Sequence, residues 1–189
     1  MLAELPPDHD LSHLRAALPY VRNWQRAVDV GAHQGIWTRE LRKHFAAVES
    51  FEPVPSNFWH LPELDNGDEH RVYPYGIGAG HEKAFFAAGT ENTGQWHIDA
   101  EGEVEAQIYP LDWFQFTQVG LIKFDVEGYE LFALQGAVET IETWKPVVII
   151  EVNGLHQRYA VKDGAAELWL IQRGYKLREH IGRDLVWSV

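Results

Sequence analysis

Apolar positions along the chain gather into short runs separated by longer stretches with a helical period. The runs cover residues 27–30, 47–51, 71–75, 121–125 and 147–151, each of a length suited to a buried strand. After the first, Trp37, Leu41 and Phe45 stand at i, i+4 and i+8 with Arg39, Arg42 and Lys43 off that line. Leu131, Leu134, Val138 and Ile141 form a second stripe after the fourth run. Strands alternating with amphipathic helices predict an α/β fold around a mostly parallel sheet. Asp163 is placed to cap a helix carrying Ala165, Leu168 and Ile171, and Gly174 suits its C-terminal stop. The stretches YKLREH and LVWSV flank residues 181–184, where Gly182 permits a turn, so a terminal antiparallel hairpin is expected.

Two regions stand outside this alternation. Residues 1–26 hold a short amphipathic segment (Leu11, Leu14, Leu18) interrupted by Pro19, read as a lid or a packing arm. Residues 78–118 are aromatic and glycine-rich, with short strands expected at 83–88 and 103–108, and read as an insertion walling the acceptor site. No internal repeat, low-complexity tract or linker divides the chain, so residues 1–189 are expected to form a single domain.

Composition narrows the chemistry. A chain of 189 residues with 46% hydrophobic positions can build a core without staples, and no apolar run approaches the about 18 residues of a membrane span. The N-terminus has no basic region followed by an apolar stretch and a small-residue cleavage site, which makes cytoplasmic residence the expectation. A net charge of −12 argues against nucleic acid, whose phosphates need clustered Lys and Arg. With no cysteine, acid–base work falls to histidines and carboxylates.

The first run leads into Gly31-Ala32-His33-Gln34-Gly35, a loop at the carboxyl end of a strand, where open α/β sheets bind ligands. Its pattern is G-x-x-x-G. The middle glycine that admits a pyrophosphate is missing, so an adenosine without a diphosphate is favoured over a dinucleotide. Asp29, just before the turn, could hold an amino group or pin the loop's N–H groups. Glu52 follows it by 23 positions, close to the ~20-residue spacing at which an acid reads ribose hydroxyls. Glu49 competes, but alternation turns it to the other sheet surface.

Gly76 and Gly78 after the third run could bring backbone close to a flat ring. After the fourth, Asp125 and Glu127 are alternate residues, so in extended backbone they share a face. Two carboxylates so close either repel, which makes one a general base, or share a divalent cation with Glu151 at the end of the fifth run. His156 follows at the same edge and could abstract a hydroxyl proton at neutral pH. Trp59, Trp96 and Trp113 are candidates to stack on sugar faces.

VDVGAHQG, ESFEP, IKFDVEGYELFALQGA and PVVIIEVN together resemble the FkbM-type methyltransferases, a branch of the Rossmann-like S-adenosylmethionine-dependent enzymes, over residues 27–153. The most specific part is D-V-E-G-x-E. The resemblance implies a three-layer, doubly wound fold with a seven-stranded, mostly parallel sheet ending in the antiparallel hairpin. It implies that Asp29, Gly31 and Gly35 cradle the methionine portion of S-adenosylmethionine and Glu52 its ribose, with cofactor contacts extending to Ala32, His33, Pro53, Asn57, Gly76, Ile77 and Asp125. The implied reaction is O-methylation of a hydroxyl on a sugar, a glycan or a small metabolite. Asp125 and Glu127 lie near the transferred methyl, and His156 or an acid of the pair serves as the base. A divalent cation such as Mg on Asp125, Glu127 and Glu151 is the further expectation. The chain is short for this family, which leaves closure over the acceptor to residues 78–118 or to a second subunit of a homo-oligomer. The rival readings are an NAD(P)-dependent oxidoreductase and a non-catalytic domain that binds adenosine ligands.

Overall fold

The computed structural model describes residues 11–59, 61, 64, 65, 67, 69–88 and 96–189. Residues 1–10 of the expected arm and 89–95 of the expected insertion lie outside the described residues. The strands are β1 (Arg26–Val30), β2 (Ala47–Phe51), β3 (His70–Tyr73), β4 (Tyr75–Ile77), β5 (Glu82–Ala88), β6 (Trp96–Ile98), β7 (Val104–Tyr109), β8 (Val119–Phe124), β9 (Val147–Glu151), β10 (Lys176–Ile181) and β11 (Asp184–Ser188). The helices are α1 (Ser12–Ala17), α2 (Ile36–Leu41), α3 (Pro55–Phe58), α4 (Glu130–Gln135), α5 (Val138–Trp144) and α6 (Ala165–Gln172).

Seven strands form one sheet in the order β3-β2-β1-β8-β9-β11-β10. Its pairs are parallel except at β11, which runs antiparallel to both β9 and β10. The hairpin turns at Gly182, whose φ of +62° a glycine adopts without strain. Successive strand residues enter opposite cores. Ala27, Val48, Leu121 and Ile149 pack with α1 and α2 residues such as Leu14, Trp37 and Leu41. Val28, Phe51, Ile122 and Ile150 pack with Leu134, Ile141 and Leu170 from α4, α5 and α6. This is the three-layer, doubly wound arrangement. Strand order reverses between β1 and β8, and that switch point opens a crevice at the carboxyl edge. No helix among the described residues is long and apolar enough to cross a membrane.

Several elements depart from the sequence pattern. The run 71–75 is two strands, because Pro74 has no N–H to continue the ladder, and β4 joins a separate sheet of order β4-β7-β5-β6. The helix stripe 131–141 breaks into α4 and α5 at Gly136, where a Cβ would stand 1.9 Å from the Gly78 carbonyl oxygen. Asp163 does not cap α6. Gly164, at φ +75°, precedes that helix, and Leu168 and Ile171 are each 54% exposed while Trp169 and Leu170 are buried. α2 ends at Leu41, although Phe45 beyond it still packs in the same core.

Candidate active site

The switch point is built by close chain approach. The N–H groups of Gly31 and Ala32 both donate to the Phe51 carbonyl at 2.9 Å, and the Asp125 N–H donates to the Val30 carbonyl at 3.1 Å. A Cβ on Gly31 would lie 1.8 Å from the Asp125 carbonyl oxygen, and one on Gly35 would lie 2.6 Å from Leu61 and Leu64. The two glycines thus admit protein rather than ligand. Between them the peptides of Ala32 and His33 face an open cavity of about 450 Å³.

One side of that cavity is Gly31, Ala32, His33, Glu52, Pro53 and Asn57. Gly76, Ile77 and Ile108 continue the wall, with Phe86, Trp96 and Ile98 from the smaller sheet. The lining also includes Asp125, which meets Gly31, with Glu127 and Glu151. Glu52 is 5% exposed, and its two oxygens accept the N–H groups of His33 and Val54, each at 2.9 Å. Burial pushes its carboxyl up to about 7, against the pull of those two bonds and of a side-chain bond from Asn57. Glu49 is turned away, bonded to Arg26 and Tyr73 at 3.0 and 3.1 Å.

Asp125, Glu127 and Glu151 each place a carboxylate oxygen within 4.8 Å of the other two. Burial, then repulsion from Asp125 and Glu127, raises Glu151 to about 8; burial and Asp125 also raise Glu127. Glu127 has a left-handed backbone, φ +53°, and its Oε2 is buried with no hydrogen-bond partner among the described residues.

Five sequence candidates stand away from this cavity. Asp29 is fully buried below it, where its Oδ2 accepts the Thr38 hydroxyl at 2.7 Å and its Oδ1 lies 3.6 Å from the Lys123 ammonium. The amino group it holds belongs to its own chain. Gly35 serves leucine packing, as above. His156 turns the other way, with Nε2 2.7 Å from Asp163 Oδ1. Trp59 and Trp113 are 77% and 67% exposed and lie outside the cavity that Trp96 lines.

Sequence reasoning missed Lys123, Tyr129 and Arg183, which also line the cavity. For Lys123 a signal existed: a lysine inside the apolar run LIKF must be buried and therefore paired. Its Nζ lies 3.0 Å from Asp125 Oδ2 and 5.1 Å from the centre of the Trp37 ring. Burial works to lower its pKa, but Asp125 and Asp29 outweigh that and hold it above the ordinary value.

Residues 29–177 match the family model described as the methyltransferase FkbM domain, a span that contains the cavity residues from Val30 to Glu151. The chain belongs to the FkbM methyltransferase family. A comparison with curated proteins finds no match. Among solved structures, the methyltransferase FkbM from Methylobacillus flagellatus KT is 22% identical with a TM-score of 0.63, covering 87% of this chain and 43% of that one. The present chain thus spans less than half of that relative's length. Precorrin 8W decarboxylase from Methanobacterium thermoautotrophicum is 14% identical, with a TM-score of 0.56 and coverage of 98% and 93%. SMU.1697c from Streptococcus mutans, in complex with SAH, is 11% identical, with a TM-score of 0.52 and coverage of 98% and 100%. At these identities the likeness establishes a Rossmann-like methyltransferase fold, and the decarboxylase shows that the fold alone does not name the reaction.

Proposed function

We propose that this protein transfers a methyl group from S-adenosylmethionine to a hydroxyl of a sugar, a glycan or a small metabolite. The observation that carries the reading is Glu52. Its oxygens take the backbone N–H groups of His33 and Val54 and a side-chain bond from Asn57, so of a carboxylate's about four lone-pair sites one remains for a hydroxyl at the cavity wall. The ribose of an adenosine ligand offers such a hydroxyl. Family membership and the SAH held by the SMU.1697c structure on the same fold support the donor.

When bound, S-adenosylmethionine supplies an electrophilic methyl on a sulfonium. Glu52 then accepts a ribose hydroxyl, the Ala32–His33 peptides border the donor, and Trp96 offers a flat apolar face to a sugar ring. Asp125 and Glu127 orient the acceptor hydroxyl. Glu127, with a raised pKa and an unpartnered Oε2, takes its proton in place of His156, which is held by Asp163 outside the cavity. A positioned base contributes typically about 10²–10⁴-fold. As the alternative to a base at Glu127, the three clustered carboxylates suit a divalent cation such as Mg. Magnesium titration of the protein and of Glu151→Gln tests this, with heat expected in the first alone.

Calorimetric titration with SAH and with NAD, followed by incubation with methyl-labelled donor and hydroxylated acceptors, tests the main reading. SAH binding and a labelled methyl ether are expected. NAD binding without SAH binding supports an oxidoreductase and overturns it, and SAH binding without transfer to any acceptor leaves a ligand-binding domain.

A further inference from the structure

β8 is buried along its whole length, and its sequence VGLIKF is apolar but for one residue. In such a strand a leucine or methionine packs as well as a lysine without the cost of desolvating a charge. Lys123 therefore needs an account beyond packing. The parallel register sets it directly across from Asp29, so the ammonium and the buried carboxylate are neighbours by construction of the sheet. Its Nζ reaches past Asp29 Oδ1, at 3.6 Å, to Asp125 Oδ2 at 3.0 Å, beneath the Trp37 ring that also lines the cavity. Asp29 is itself fixed by Thr38, which also bonds Ser50 at 2.9 Å. The Asp125 side chain, by contrast, is 38% exposed on the cavity wall, and Lys123 is its ion-pair partner there.

We infer that Lys123 is a positioning residue, which holds the Asp125 carboxylate at the methyl-transfer end of the cavity and is itself anchored by Asp29. This rests on the methyl-transfer reading above and gives Asp29 a place in it: Asp29 acts on the site through Lys123 and does not touch the donor. A carboxylate that must align an acceptor oxygen cannot be left to rotate, because small misplacements cost rate steeply. The ammonium removes that freedom from below while leaving the cavity side of Asp125 open.

The test uses protein labelled with ¹⁵N-lysine. The Lys123 ammonium is expected to give a slowly exchanging signal that vanishes in Lys123→Met and shifts in both Asp125→Asn and Asp29→Asn. SAH binds Lys123→Met with unchanged affinity. Transfer of labelled methyl from S-adenosylmethionine to a mixture of free monosaccharides falls on the order of 10²-fold in Lys123→Met. The Lys123→Met/Asp125→Asn double variant falls no further than Asp125→Asn alone. Because Lys123→Met leaves Asp29 buried without its cation, Lys123→Met/Asp29→Asn, which removes both charges, is assayed beside it and should match it in rate. A Lys123 signal indifferent to Asp125→Asn overturns the inference, as does loss of SAH affinity in Lys123→Met, which would make Lys123 a donor ligand. A protein inert toward both SAH and the monosaccharides overturns the methyl-transfer reading alone, since the lysine signal is read without either.

Discussion

Glu130 holds Glu127 in its left-handed turn. The Glu130 Oε1 accepts the N–H of Val126 at 3.2 Å and that of Gly128 at 3.1 Å, the two peptides that bracket Glu127 at φ +53°. Burial raises the Glu130 carboxyl to about 7, against these bonds. Glu130→Ala leaves the buried Gly128 N–H and the part-buried Val126 N–H without their acceptor, at about 1–3 kcal/mol for the first and less for the second, and should lower the melting temperature by at least about 2 °C. Glu130→Gln keeps an acceptor oxygen in place and should stay within about 1 kcal/mol of the unsubstituted protein. Thermal and urea denaturation of the two variants check the difference.

Gly31→Ala meets two obstacles at once. Its φ is +79°, and the new Cβ would lie 1.8 Å from a backbone oxygen of Asp125, so the chain just beyond β8 must shift where it meets the cavity. Gly182→Ala has the same kind of backbone, φ +62°, with nothing within 4 Å. The hairpin variant should lose only the left-handed penalty, about 1–2 kcal/mol, and bind SAH normally. The loop variant should lose more stability and also SAH binding, which calorimetry on the folded fraction of each will show.

Of the three tryptophans suited to sugars, Trp96 lines the cavity and Trp59 is 77% exposed outside it. Trp96→Ala should raise the acceptor KM by about tenfold or more, in line with about 1–3 kcal/mol for stacking on an aromatic face, while leaving SAH affinity intact. Trp59→Ala should change neither. Initial rates against acceptor concentration separate the two.

The parts of this molecule that were legible in sequence are those set by local pattern. β2 and β9 fall where their apolar runs fall, and Gly182 marks the hairpin turn. Long-range approach was not legible. The break between α4 and α5 depends on Gly136 meeting Gly78, which lies in a different sheet's connection. The buried pairing of Lys123 with Asp29 joins strands distant in sequence, so Asp29 looked free to meet a ligand. Asp163 and His156 each had a plausible local role, as cap and as base, and the fold spends both on one hydrogen bond.

Glu52 ties donor binding to pH. Its carboxyl is raised from an ordinary 4.5 to about 7 because burial opposes the charge. A raised acid contributes stability that is fully present below its unfolded value and lost as the pH rises through its folded one. The free protein should therefore lose stability from this group between about pH 4.5 and 7. Binding runs the opposite way. The ionised form, which keeps a lone pair free for a ribose hydroxyl beside its bonds from His33, Val54 and Asn57, predominates above about 7, and protonation below it removes one acceptor. SAH affinity should rise roughly tenfold from pH 6 to pH 8 and then level off. Glu130 and Glu151 titrate near the same range, at about 7 and 8, so Glu52→Gln is the decisive control. Calorimetry on that variant should give weaker binding with the slope largely gone. An unchanged slope would assign the pH dependence to the other acids and leave the ribose without its acceptor at Glu52.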